Sequence, residues 1–171
     1  VEEALKAYSI HKNIIFIDSV RKKVDFIAAA AGKLGLTGWD ALHTRAEDAG
    51  RDNLLGALAR LRDEGAVIAY DPNFRPKLWS DLDEMRRFTA RICGLASITL
   101  PTLDDEQAAF GDADATATIN RLAGYGVAEI VVKDGTRPAT IFRQGTSLPL
   151  RVEQPVQPLD TTGAGDSFNG A

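Results

Sequence analysis

The residues most able to do chemistry stand in one string near the carboxyl end, Asp160-Thr161-Thr162-Gly163-Ala164-Gly165-Asp166-Ser167-Phe168. Two hydroxyls lead into two glycines, and the small residues let a backbone turn approach a ligand with no Cβ in the way. Peptide N–H groups of such a turn, at the start of a helix, make a cradle for an anion. Asp166 follows at once. A carboxylate beside a phosphate-sized cradle suits a base that takes a proton from an attacking hydroxyl. A glycine-rich turn capped by Asp is the bland alternative, and a bare Gly-x-Gly would favour it.

A second polar group stands at Asp71-Pro72-Asn73-Phe74-Arg75-Pro76-Lys77-Leu78-Trp79, just after the apolar run Val67-Ile68-Ala69-Tyr70. Arg75 has the planar fork that grips a carboxylate or phosphate through two bonds. The alternative is a proline-rich loop with solvated charges. A third is Thr102-Leu103-Asp104-Asp105-Glu106, which also reads as a charged first helical turn favoured by the dipole. His11 and His43 lack the partner spacing of a metal site, and Trp39 and Trp79 read as packing residues. The Arg86-Arg87 pair reads as the wet face of a helix.

The elements that must position these residues alternate. Asn13 to Asp18 is a β-branched apolar run that reads as a buried parallel strand ending in a carboxylate. Residues 2–9 form a short helix in this reading, and a second helix follows Ser19, with Val24, Ile27, Ala31 and Leu34 on one face. Residues 39–43 are a second strand and 45–50 a loop. Leu54, Leu55, Leu58 and Leu61 line a helix closed by Gly65. Strands at 67–70, 97–100 and 129–133 alternate with helices at 82–92, 104–110 and 115–123, and residues 139–143 and 147–152 form a hairpin around Gly145. This order predicts a doubly wound α/β fold with a mostly parallel sheet, helices on both faces and a terminal hairpin. Ligands of such sheets sit at strand carboxyl ends, where Asp18, Asp71, Asn73 and Lys133 all fall.

Composition sets the outer limits. The chain has 171 residues, 44% hydrophobic and 26% charged, with net charge −4. That is ordinary for a globular domain with its own core and gives no footprint for nucleic acid or an anionic membrane. The lone Cys93 excludes a disulfide framework. No spanning segment, signal peptide or repeat is expected, and the expected setting is cytoplasmic.

The nine-residue string resembles the second signature of ribokinase-like, or PfkB-family, sugar kinases. The pattern D-x-N-x-R-x-x-L-W at 71–79, with the acidic run at 102–106, resembles the subgroup that acts on 2-keto-3-deoxygluconate. The resemblance covers roughly residues 50–171. It implies ATP-dependent phosphoryl transfer to a sugar or keto-deoxy sugar acid, with Asp166 as catalytic base. Gly163, Ala164 and Gly165 become the anion hole, with Thr161 and Thr162 beside the phosphates. Lys133 and Gly135 fall on the nucleotide side, Asn73 and Arg75 face phosphate or substrate, and Glu106 acts on Mg²⁺ through water. Leu103 stands where most of the superfamily has Asn, though related ketodeoxygluconate kinases look similar there.

Residues 13–52 are different. Ile15-Phe16-Ile17-Asp18-Ser19, then Leu34-Gly35-Leu36-Thr37, then Thr44-Arg45-Ala46-Glu47-Asp48 resemble the small-subunit rRNA guanine-N7 methyltransferases of the glucose-inhibited-division type. That resemblance implies S-adenosylmethionine (SAM) binding, with Asp18 on the ribose hydroxyls and the Arg45-Ala46-Glu47 turn near adenine. The whole then reads as one α/β domain spliced near Asp48 to Arg51, with 1–52 methyltransferase-like and 53–171 kinase-like. An engineered chimera without turnover is the competing expectation. An open sheet edge would permit a homodimer. Because a helix of a few residues does not support itself, residues 163–171 are expected to fray unless something packs on Phe168.

Overall fold

The computed structural model describes residues 14–18, 39–43, 48–75, 77, 79–150 and 164–169, with isolated positions at 29, 32 and 33. The sequence-predicted helix at 2–9, most of the one at 24–34, the Arg45-Ala46-Glu47 turn and Thr161, Thr162 and Gly163 lie outside these residues. The chain divides into two compact units, Val1–Ile68 and Ala69–Ala171.

In the first unit, β1 (Ile14–Asp18) pairs in parallel with β2 (Trp39–His43), Ile14 opposite Trp39 and Asp18 opposite His43. The β-branched run thus forms the strand its composition calls for. Helix α1 (Asp48–Asp63) begins three residues earlier than the sequence-predicted loop allows, so Asp48, Ala49 and Gly50 belong to it. An acid in the first turn is stabilised by the helix dipole, which outweighs the local polarity that reads as loop. Leu55 and Leu58 on α1 are buried. The turn after α1 closes at Gly65, whose φ of 88° only glycine adopts without strain.

The second unit is built on a five-stranded sheet in the order β3 (Ala69–Tyr70), β4 (Ile98–Thr99), β5 (Glu129–Asp134), β6 (Arg137–Arg143) and β7 (Thr146–Leu150). β3, β4 and β5 are parallel, and β6 and β7 return antiparallel. The ladders of β3 and β4 are shorter than the apolar runs around them, but Leu100 N–H still donates to the Tyr70 carbonyl and Glu129 N–H to that of Ser97. β6 and β7 meet at Gln144 and Gly145, both at positive φ (52° and 77°), the geometry that a two-residue hairpin needs to match strand twist.

Three helices join the parallel strands: α2 (Leu82–Cys93), α3 (Leu103–Phe110) and α4 (Ala115–Gly124). Their ends are set locally. Asp81 caps α2 by accepting from the Asp83 N–H at 2.8 Å, and Asp114 caps α4 by accepting from the Ala117 N–H at 2.9 Å. A last helix, α5 (Ala164–Asn169), carries the glycine-rich string's end.

Cys93 of α2, Leu103 of α3 and Ile119 and Leu122 of α4 pack with Ile130 and Val132 of β5 into one apolar cluster. Ile130 and Val132 alternate with half-buried Val131, so the cluster covers one face of the sheet. A second cluster joins Phe74, Met85 and Ala109, with Trp79 packed on it and its ring 5.8 Å from that of Phe88. Trp79 is therefore the packing residue its composition suggested. Arg86 is not simply a wet-face residue. Its Nε donates to the Ala109 carbonyl at 2.8 Å and so ties α2 to the end of α3, while Arg87 stays exposed.

Burial pushes the Cys93 thiol up to about 12, with Glu106 adding to the shift and Arg121 opposing it. At pH 8 such a thiol holds on the order of a thousandfold less thiolate than an ordinary one. Iodoacetamide should therefore leave Cys93 unmodified in the folded chain and alkylate it at the normal rate in denaturant, read by mass spectrometry. Leu122→Ala, at a site with no exposure, should lower stability by about 2–5 kcal/mol in a denaturant melt.

Candidate active site

The polar rim forms where the parallel strands end. Asp71 directly follows β3, Thr102 to Glu106 follow β4, and Lys133 is the penultimate residue of β5. Lys133 Nζ donates to Asp71 Oδ2 at 2.8 Å, and Lys133 side chain is only 10% exposed. The backbone is fixed from the same place: Lys133 N–H donates to the Pro101 carbonyl at 2.8 Å, and Thr102 and Lys133 form a parallel bridge. The pair is costly to break, since removing either partner would leave a sheltered charge alone.

Asn169, the last residue of α5, completes the group. Its Oδ1 accepts from Lys133 Nζ at 3.1 Å and its Nδ2 donates to Asp71 Oδ2 at 2.6 Å. Three segments distant in sequence therefore meet through three side chains. Within the stretch expected to fray unless something packs on Phe168, α5 is formed over Ala164–Asn169 with Phe168 and Asn169 half-buried. Sequence reasoning passed over Asn169. The available signal was its place one turn after Gly165, on the same helix face.

The remaining candidates take distinct positions. Asn73 is exposed, and its N–H donates to Asp71 Oδ1 at 3.0 Å in an Asx turn of Asp71; its φ of 40° is one that Asn tolerates. Arg75 is exposed, donates to the Phe74 carbonyl at 2.7 Å and lies 3.9 Å from Asp105. Burial raises the Asp105 carboxyl above its ordinary range, opposed by Arg75 and reinforced by Asp71. Gly135 lies in the exposed two-residue turn between β5 and β6, at φ 58°. Lys133 itself is inside β5 and turned to Asp71, so that Gly135, rather than Lys133, is the open turn residue. Ala164 and Gly165 open α5 exposed, and Asp166 is its third residue. A Cβ built on Gly165 would lie 3.7 Å from Lys133 Nζ, which brings the glycine string to the same rim.

Glu106 differs from an exposed ligand. It has no exposure and its Oε2 accepts from Arg121 at 2.6 Å. Arg121 also donates to Asp112 at 2.6 Å and lies 3.7 Å over the Phe110 ring. Burial is the main cause that raises the Glu106 carboxyl, against the pull of Arg121, and two carboxylates share the one guanidinium. Its other oxygen, Oε1, is buried with no hydrogen-bond partner. That free acceptor fits a magnesium ion reached through water. Among the described residues no three His, Cys, Asp or Glu side chains gather as direct ligands. A shallow depression beside Phe142 and Arg143 lies at the far end of β5, near Glu129, and includes none of these residues.

A strand-end rim of acid, amide and lysine meets α5 at Gly165 and Asn169, the arrangement of an α/β protein with its polar groups at the strand carboxyl ends. Residues 41–171 match the pfkB family carbohydrate kinases, and the chain belongs to that family. The 2-dehydro-3-deoxygluconokinase of Haemophilus influenzae is 36% identical over 124 residues, covering 70% of this chain and 38% of that protein. The Escherichia coli protein of that name is 34% identical over 125 residues, covering 70% and 40%. Among solved structures, aminoimidazole riboside kinase from Salmonella enterica, complexed with aminoimidazole riboside and an ATP analog, superposes with a TM-score of 0.65 at 28% identity, over 71% of this chain and 40% of that one. Fructokinase from Vibrio cholerae, bound to fructose, ADP and calcium ion, gives 0.66 at 27% identity, over 73% and 40%. The chain thus spans about two fifths of the length of the curated relatives it matches. The family match begins at residue 41, inside the stretch that resembles a methyltransferase.

The Arg121 arrangement yields a test. Arg121→Met leaves two carboxylates buried beside each other and should cost about 3–5 kcal/mol of stability, whereas Glu106→Gln should cost clearly less. Paired denaturant melts of the two variants check this, and equal losses would contradict it.

Proposed function

We propose that this chain is the nucleotide-handling part of a carbohydrate kinase that moves a phosphoryl group from ATP to a sugar acid of the 2-keto-3-deoxygluconate type. The observation that carries the reading is that one family match spans both the Asp71–Arg75 loop and α5, and that curated relatives over that same stretch are 2-dehydro-3-deoxygluconokinases. Sugar-kinase ancestry is established by the family. The substrate and the retained activity are the proposal.

In this reading Asp166 takes the proton from the attacking hydroxyl as the phosphorus–oxygen bond forms. Backbone N–H groups of Gly163, Ala164 and Gly165 receive the charge on the transferring phosphoryl oxygens, and Thr161 and Thr162 flank them. Gly135 lies on the nucleotide side, with Lys133 behind it. Asn73 and Arg75 are exposed at the rim, where they would meet a substrate carboxylate or phosphate. Magnesium, when bound, supplies further charge neutralisation, and Glu106 Oε1 is the acceptor that would hold its water. Positioning and charge neutralisation are what phosphoryl transfer asks of a protein.

A second reading concerns the first unit. β1 ends at Asp18 and pairs in parallel with β2, the arrangement in which a strand-end acid binds ribose hydroxyls. In the chimera reading residues 1–52 are a methyltransferase-derived segment joined near Asp48 to Arg51, and a SAM affinity abolished by Asp18→Ala would support it. A fused scaffold without turnover is the remaining version, marked by high stability and no ligand effect.

The deciding experiment is a titration and turnover assay with Mg-ATP and 2-keto-3-deoxygluconate. The parent chain should bind Mg-ATP and show turnover. Asp166→Asn should bind nucleotide within about twofold of the parent and lose on the order of a thousandfold or more in kcat. Turnover unchanged in Asp166→Asn would sink the assignment of the base.

A further inference from the structure

The helix that carries Asp166 has six residues, too few to hold itself in water. Its position must come from contacts. Among the described residues, its side-chain hydrogen bonds run from Asn169 to Lys133 and Asp71. Gly165 and Asn169 are four residues apart, hence on one face of α5. Lys133 Nζ lies over that face, 3.1 Å from Asn169 Oδ1 and 3.7 Å from where a Gly165 Cβ would be. Lys133 is in turn held from behind by Asp71, which also accepts from Asn169.

The residue types fit this task. A bridge between an ammonium and a carboxylate needs an acceptor and a donor on one short rigid group, and the Asn amide supplies both. Asp at 169 would face Asp71 with like charge. Leu would bond to neither. Gln offers the same atoms one methylene further out. The lack of a side chain at Gly165 leaves room for the lysine to lie on the helix. The group is neutral as a whole, one ammonium against one carboxylate, so it is sheltered without an unbalanced charge.

We propose that Asp71, Lys133 and Asn169 form a latch that fixes the rotation and height of α5 at the strand ends. Lys133 and Asn169 are then positioning residues for Asp166, acting through the helix and not on the substrate. This rests on the kinase reading only for what Asp166 does; the latch itself is a property of the chain without ligands. It assigns Lys133 a role different from nucleotide contact, because two of its three N–H donors are already engaged by Asp71 and Asn169.

The test uses the full chain labelled with ¹⁵N. The Asn169 side-chain amide pair should be protected from exchange and shifted, and Asp71→Ala should abolish that signature. Asn169→Leu, close to Asn in size, should displace the backbone amide resonances of Gly165 and Asp166 while those of β4 and α4 stay in place. With Mg-ATP and the sugar acid, Asn169→Leu should lower kcat about tenfold or more at a KM for ATP within about twofold of the parent, and Asn169→Gln should recover part of the loss. Gly165 and Asp166 resonances unmoved by Asn169→Leu, or an Asn169 amide indifferent to Asp71→Ala, would overturn the latch. A parent chain with no turnover would overturn the kinase reading instead, and the resonance comparison would still decide the latch.

Discussion

The ion pair of Lys133 with Asp71 is the constraint on which the candidate site depends. It joins the end of β5 to the loop after β3, with β4 lying between them in the sheet. A lysine at 10% exposure cannot be charged and alone, so the carboxylate has to be there, and the loop that brings it has to leave β3 in one direction. Asp71 meets that demand with both oxygens. One receives Lys133 and Asn169, and the other receives the Asn73 N–H that folds the loop back. The exposed donors Asn73 and Arg75 are therefore presented by a loop whose half-buried root is tied to Lys133.

A second charged node works differently. Arg121 gathers Glu106 of α3 and Asp112, just past the end of that helix, and lies over the Phe110 ring. Burial disfavours each charge, and the node holds because one guanidinium answers two carboxylates with several bonds at once. Glu106 is thereby fixed with one oxygen committed and the other without a partner. The two nodes have separate tasks: one sets the loop and α5, the other sets the buried acid of α3.

Much of this was legible in the residues. The β-branched runs gave β1 and β5, the leucine spacing gave α1, and Gly145 gave the hairpin, since each signal is local and each element follows from it. Asp71 and Lys133 were legible as polar residues at strand carboxyl ends, where the structure brings them together. Their roles were less legible. Glu106 is a charged letter in an acidic run, and only packing turns it into a buried partner of Arg121, 15 residues away. Arg86 reads as solvated because its neighbours are charged, yet it bonds the Ala109 carbonyl. Asn169 is signalled only by its place one turn after Gly165.

The sequence by itself determined the α/β class, the order of strands and helices, and the kinase family, because periodicity, turn residues and a nine-residue string are written in consecutive positions. The tertiary structure alone decided which of the polar residues are partners. Asp71, Lys133 and Asn169 are 62 and 36 residues apart along the chain and within about 3 Å in space. Hydrogen bonds and ion pairs depend on such distances, and those are set by how strands stack across a sheet, not by order in the chain.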